Sequence, residues 1–176
     1  MGLSLPWTVV WLLTLGLSGY ALYAGAVASG MYKDPLMSRF RVYGEERRIY
    51  PLCRFLEAAG LASLMVSMLI ANTPLFQTSF APVIFVVFAF MAFGASLLAR
   101  QKPVIRESLP RWYFELLRTT TRQERRTLGY AWLRIPWRLR WRLNGDQVAF
   151  GVWVDMVRLT VIYGAHDPNN PWDLWG

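Results

Sequence analysis

The chain has 176 residues, 55% of them apolar, and carries a net charge of +8. A soluble domain of this length needs no uncharged apolar run near twenty residues, and this chain has three, so the pattern excludes an ordinary soluble protein. A single cysteine, Cys53, excludes an internal disulfide and a cysteine-based zinc site. The 17 arginines against 2 lysines fit either a GC-rich bacterial genome or a preference for phosphate-binding guanidinium groups.

Three apolar segments in the first hundred residues predict three transmembrane helices. They run over about 5–30, 51–72 and 80–99, and each is close to the ~20 residues that a helix needs to cross ~30 Å of hydrocarbon. The first has no basic N-terminal region and exceeds the about 7–15 apolar residues of a signal peptide, so we interpret it as a retained helix. Pro51 and Pro82 stand where the first turn of a helix tolerates a missing N–H.

The distribution of charge predicts the orientation of these helices. No Asp, Glu, Lys, Arg or His occurs in 1–30, whereas the loop 31–50 is rich in arginine and the loop 73–79 is uncharged. Because an excess of Lys and Arg in short loops marks the cytoplasmic side, we expect the N-terminus and 73–79 outside. Loop 31–50 and the chain after Arg100 then lie inside. The sequence predicts a multi-pass protein of a bacterial inner (cytoplasmic) membrane.

Small residues at four-residue spacing predict where the spans pack, because helices in lipid associate through close approach along small side chains. The bulky phenylalanines of the third span suit lipid, although the same face also suits a pigment, a quinone or a lipid tail. Arg54 and Glu57, three residues apart, predict an ion pair at the cytoplasmic edge. The residues expected to pack are Ala21, Gly25, Ala59, Ser63 and Ser67.

No span carries a histidine, and His166 in the tail is the only one in the sequence, which excludes a bis-histidine haem within this chain. No span carries a charge near its middle either, so we do not expect a proton or ion pathway. No intrinsic cofactor is therefore expected, while contact with lipid or pigment stays open. The sequence predicts an all-α membrane protein in two parts, a three-helix transmembrane region (1–100) and a basic, Trp-rich cytoplasmic or interfacial helical tail (101–176).

Two helices are predicted at the start of the tail, whose residues 100–176 hold 13 basic and 7 acidic side chains. The first covers 111–118. Thr121 and Glu124 have the spacing of a capping box, which predicts a second helix over 122–135. We expect three arginines of this helix to face outward, Arg122, Arg125 and Arg126. Its apolar side is formed by Leu128, Ala131, Trp132 and Ile135.

Two structures remain open for 137–163. The alternation of Arg with Trp and Leu over 137–143, followed by Asn144–Gly145, fits a strand and a type I′ hairpin. The same residues fit the end of one helix, with Asp146 capping the next. The periodicity favours helix, because four polar or small residues share one narrow sector of an otherwise apolar wheel: Gln147, Gly151, Asp155 and Arg158. Such a helix lies in the membrane interface, docks on the bundle or binds another subunit, and a fourth span would leave Asp155 and Arg158 in mid-membrane.

The expected contacts with a partner or lipid are made by arginines and tryptophans of the tail: Arg134, Trp137, Arg138, Trp141, Arg142, Trp153, Trp172 and Trp175. No catalytic or metal site is expected. His166, Asp167 and Asp173 match the spacing of neither a zinc site nor an EF-hand, and Cys53 and His166 are more than a hundred residues apart.

These features predict a non-catalytic accessory or scaffolding subunit of a larger bacterial membrane complex. Energy-transducing assemblies of electron transport, respiratory or photosynthetic, are one class that contains such subunits. The alternative is a membrane-anchored organiser whose Arg/Trp-rich tail binds anionic lipid or a cytoplasmic partner. Nucleic acid is not an expected partner, because the sequence contains no RNA- or DNA-binding motif.

Overall fold

The structure, a computed structural model, describes residues 7–42, 50–73, 79–106 and 108–164. These ranges are helical and contain no strand, so the all-α prediction is confirmed and the hairpin over 137–163 is wrong. The helices are α1 (Trp7–Ser29), α2 (Asp34–Met37), α3 (Pro51–Ala71), α4 (Ala81–Gln101), α5 (Pro103–Arg106), α6 (Arg111–Thr119), α7 (Arg122–Arg134), α8 (Trp137–Gly145) and α9 (Gln147–Gly164). A 3₁₀ turn, Ser38–Arg41, follows α2.

Three of these helices, α1, α3 and α4, are long and apolar enough to cross a membrane. They coincide with the three predicted spans. The structure extends the third to Gln101 and begins it at Ala81, with Pro82 in its first turn. Pro51 likewise opens α3. The ends agree because proline starts a helix without losing a hydrogen bond there.

The chain forms two compact units. The first contains Met1–Ala28 and Tyr50–Leu109, and the second contains Ser29–Ile49 and Pro110–Gly176. The second unit therefore combines a segment that follows α1 with a segment that follows α4, although the two are far apart in the sequence.

In the first unit, small residues admit close contacts between helices. Ala21 of α1 lies in a buried cluster with Ala58 and Ala62 of α3. A Cβ placed on Gly60 would lie 3.1 Å from Cζ of the Phe93 ring, so this glycine makes room for an aromatic side chain of α4.

The predicted ion pair of Glu57 with Arg54 is not formed. The Glu57 carboxylate accepts hydrogen bonds from the Arg100 guanidinium and, at 2.8 Å, from Ser96 Oγ, both on α4. Arg54 is exposed. The reason is packing, because the pairing of α3 with α4 places the end of α4 within reach of Glu57. The spacing of residues along α3 alone cannot predict this contact.

In the second unit, α7 packs closely on the 3₁₀ turn. Gly129 is essential to this approach, since a Cβ there would lie 2.9 Å from the backbone N of Arg41. Beside it, the rings of Phe40 and Tyr113 stack at 4.7 Å between centroids. An aromatic cluster continues through α6, α7 and α9, where Trp132 contacts Phe150 and Trp153 edge-on at 5.9 and 5.3 Å. These rings form the core of the unit.

Candidate interaction surface

A buried lysine joins the two segments of the second unit. The Lys33 ammonium donates to the backbone carbonyls of Leu143 at 3.1 Å and of Asn144 at 2.7 Å, and the Lys33 backbone N–H donates to Asn144 Oδ1 at 2.7 Å. The side chain is only 2% exposed. These carbonyls belong to the last turn of α8, where a helix leaves acceptors without partners and carries partial negative charge. Lys33 therefore caps α8 from a distant part of the chain.

The surroundings of the Lys33 ammonium are aromatic. Nζ lies 5.1 Å from the centre of the Phe150 ring and 6.0 Å from that of Trp112, where ring faces attract a cation. Burial lowers the pKa of Lys33, and the nearby Asp146 carboxylate opposes this by raising it. The net direction is downward from 10.5, the ordinary value.

Next to Lys33, Asp34 forms a second link to the tail. Its carboxylate accepts a hydrogen bond from Trp132 Nε1 on α7 and one from the Arg140 guanidinium on α8 at 3.4 Å. Lys33 and Asp34 thus bind α7 and α8 from adjacent positions. This arrangement orients the exposed side of α8.

Local hydrogen bonds define the ends of α7 and α9 as predicted. Thr121 and Glu124 form a complete capping box, and Asp146 Oδ1 accepts from the backbone N–H groups of Val148 and Ala149 at the start of α9. Burial raises the pKa of Glu124, but the hydrogen bonds from Thr121 and Arg158 outweigh it and lower the pKa overall. Arg158 is thereby drawn onto α7, 3.4 Å from Glu124 Oε1.

The predicted outward orientation of Arg125 is wrong. Its guanidinium is half-buried and donates to the backbone carbonyl of Thr120 in the α6–α7 connection. The unpaired carbonyl groups at the end of α6 explain the difference, because a charged donor stabilises them. Arg122 and Arg126 are exposed as expected.

The outer side of α8 presents tryptophan and arginine together. Trp137 and Trp141 are 68% and 71% exposed, and Arg138 and Arg142 follow them in the sequence and are also exposed. Arg138 lies over the Trp137 ring, 5.8 Å from its centre. We call these four residues the Arg/Trp face.

The outer side of α9 is apolar. Four side chains more than half exposed follow one another at intervals of four, four and three residues: Val148, Val152, Met156 and Leu159. Buried Phe150 and Val154 occupy the opposite side of the helix. We call the four exposed residues the α9 stripe. Single exposed apolar side chains are ordinary, but a continuous row along a helix marks a contact surface.

Four other residues were predicted to contact a partner or lipid. Arg134 is exposed, whereas Trp153 is half-buried within the aromatic core. Trp172 and Trp175 lie outside the described residues. Contact of these four residues with a partner or lipid stays a prediction.

The residues predicted for helix packing lie within the first unit. Ala21, Ser63 and Ser67 are buried and Ala59 is half-buried. Ser67 Oγ donates to the Pro82 carbonyl of α4 at 2.8 Å. A Cβ placed on Gly25 would lie 3.0 Å from the Phe55 ring of α3.

Lys33, Asp34 and Asn144 were missed by reasoning from the sequence. One signal was available, since Lys33 is one of two lysines in a chain of arginines, but its partners cannot be inferred from spacing. Within the described residues, no group of three His, Cys, Asp or Glu side chains could hold a metal ion, and His166 lies outside them. The expectation that the chain is not an enzyme stays a prediction.

Comparisons with protein-family models, with curated proteins and with solved structures find no match.

Proposed function

We propose that the chain is a non-catalytic accessory subunit of a larger membrane complex, inserted through α1, α3 and α4 and bound to a partner subunit through α9. The length and apolar composition of the three helices support insertion. The placement of Lys and Arg in 31–50 and after Arg100 supports a cytoplasmic second unit and an external N-terminus.

The observation that carries this proposal is the α9 stripe. A helix on the surface of a folded unit is ordinarily polar on the side away from the core, whereas α9 is apolar on both sides. Burying an exposed Val, Met or Leu side chain yields about 1.5–3 kcal/mol, so four such residues supply a strong contact. An apolar row at intervals of four and three residues is also the pattern by which one helix fits the groove of another.

A protein partner suits this stripe better than an anionic membrane surface does. Helices that lie on membranes carry Lys or Arg beside the apolar face. Here the exposed neighbour is the acidic Asp155, and Arg158 is paired with two carboxylates, Asp155 at 3.8 Å and Glu124 at 3.4 Å. Gly151 adjoins the stripe, and a Cβ placed there meets nothing within 4 Å. Such an open glycine lets another helix approach closely.

The test is native electrophoresis of membranes solubilised in mild detergent from source cells that express the tagged chain. We expect the wild-type chain to migrate within a large assembly. Val152→Arg should shift it to a smaller one, because a charge would be buried in the contact. Gln147→Arg is the matched control, since Gln147 is exposed on α9 but lies outside the stripe.

Two results would each contradict a separate part of the proposal. Wild-type chain that migrates alone under every mild condition would contradict membership of a complex. A Val152→Arg chain that stays in the large assembly, at the same abundance as Gln147→Arg, would contradict the α9 stripe as the contact surface.

A further inference from the structure

The Arg/Trp face differs in chemistry from the α9 stripe. At about 100° per residue, Trp137, Trp141, Arg138 and Arg142 occupy one sector of about 140°, and buried Leu143 lies about 100° beyond its edge. The segment from Arg134 to Gly145 contains no acidic residue. The face is therefore aromatic and uniformly positive, and this is the chemistry expected for a negatively charged partner with an apolar layer beneath it.

We propose that the Arg/Trp face binds the headgroup layer of a bilayer that contains anionic phospholipid. Indole rings settle at headgroup depth because they are apolar in body and carry one N–H donor. Guanidinium groups bind phosphate with two parallel hydrogen bonds. The two residue types occur together on one face of α8, so one orientation of the helix satisfies both.

The short connection after α1 bears on where α8 lies in an inserted chain. Helix α1 ends at Ser29, and the four residues from Gly30 to Lys33 reach at most about 14 Å. Lys33 is hydrogen-bonded to the last turn of α8. If α1 is inserted, the end of α8 thus lies within a short distance of the bilayer. The inference depends on the insertion of the spans proposed above, but not on the partner subunit.

The test uses the full-length chain, one copy per lipid nanodisc and without other proteins. A nitroxide spin label is attached to Gly145→Cys in a Cys53→Ser background. Gly145 is exposed, lies between the angles of Trp141 and Arg138, and has open space for a side chain. Collision of the label with dissolved oxygen and with a water-soluble nickel chelate measures its depth. The discs contain phosphatidylcholine alone or with phosphatidylglycerol.

We expect the label to be sheltered from nickel and exposed to oxygen in the anionic discs at low salt. High salt and pure phosphatidylcholine should each reduce this shelter. Each arginine near an anionic surface shifts a docking equilibrium about fivefold, so Arg138→Gln with Arg142→Gln should lower the docked-to-free ratio by about 25-fold. The control Arg118→Gln with Arg126→Gln removes the same charge from exposed positions on α6 and α7, and should leave most of the shelter intact.

Three outcomes would overturn the proposal. The label could be equally open to nickel in both kinds of disc, which means no lipid contact. Shelter independent of lipid charge, salt and the two arginines would indicate an apolar contact instead. Shelter that appears only with two copies per disc would assign the face to a second copy of the chain. A label at Gln123→Cys on α7 should stay open to nickel throughout, and helix content by circular dichroism should be unchanged in every variant.

Discussion

Lys33 introduces a positive charge into the core of the second unit. Removing an ammonium group from water is costly, and it is tolerated only when good acceptors replace the lost hydration. The carbonyls of Leu143 and Asn144 at the end of α8 supply two acceptors, and the Phe150 ring supplies a third favourable surface. Arginine, the common cation of this chain, is longer and planar, so the compact lysine suits the site.

Substitution of Lys33 by methionine should destabilise the second unit by about 3 kcal/mol, because it leaves two buried carbonyls without donors. Thermal unfolding in detergent, followed by near-ultraviolet circular dichroism of the tryptophans, measures the loss. Lys102→Met is the control, since Lys102 is exposed.

The difference in stability between wild type and Lys33→Met depends on pH, and the lowered pKa of Lys33 determines the sign of this dependence. Between that lowered pKa and 10.5, the unfolded state binds more protons than the folded state, so stability increases with pH. The advantage of wild type over Lys33→Met should therefore grow as the pH rises through this window. An advantage that shrinks would contradict the lowered pKa of Lys33, and equal stability of both proteins would contradict its role as a buried cap.

Two glycines in helices of the second unit differ in the space available to a side chain. Gly129 of α7 lies against the 3₁₀ turn, where a Cβ would be 2.9 Å from the backbone N of Arg41 and 3.2 Å from the Met37 carbonyl. Gly151 of α9 has nothing within 4 Å of a Cβ. Glycine inside a helix costs about 0.5–1 kcal/mol relative to alanine. Packing explains this cost at Gly129, but nothing in the described part of the second unit explains it at Gly151.

Alanine at these two positions should therefore act in opposite directions on the purified chain. Gly151→Ala should stabilise α9 by about 0.5–1 kcal/mol, and Gly129→Ala should destabilise the unit because backbone atoms cannot yield. Hydrogen exchange of the α9 and α7 amides, read peptide by peptide, distinguishes the two effects. Slower exchange in both variants would show that the contact between α7 and the 3₁₀ turn tolerates a Cβ at position 129.

At the scale of the whole molecule, the three candidate spans and the charge distribution together define a topology that labelling can test. Ser79 precedes α4 and Gln123 lies in α7, so one span separates them. In a Cys53→Ser background, a membrane-impermeant maleimide should label Ser79→Cys in intact cells. It should label Gln123→Cys only after the membrane is opened.

The pattern of labelling distinguishes two kinds of error. Reversed labelling would contradict the orientation, and labelling of both cysteines from one side would contradict the crossing of α4. Both positions are exposed, so failure to label the opened membrane would not arise from burial within the chain.

Features that depend on neighbouring residues were predictable from the sequence, and features that depend on distant ones were not. The capping box of Thr121 and Glu124 and the cap by Asp146 follow from spacing within one turn. The partner of Glu57 was mistaken because Arg100 comes from another helix. The α9 stripe was foreseen only as a helix apolar on nearly every side, since the wheel does not say which side the core covers.

The second unit has a consequence for how the chain is made. Lys33 leaves the ribosome 111 residues before Asn144, its partner through backbone and ammonium hydrogen bonds. At about 5–20 residues per second, this interval lasts roughly 6–20 s. During that time Lys33 cannot form its hydrogen bonds with α8. A chain truncated before α8 would contain the three spans but an incomplete second unit, and we expect proteases that recognise unfolded segments to cleave it in that unit.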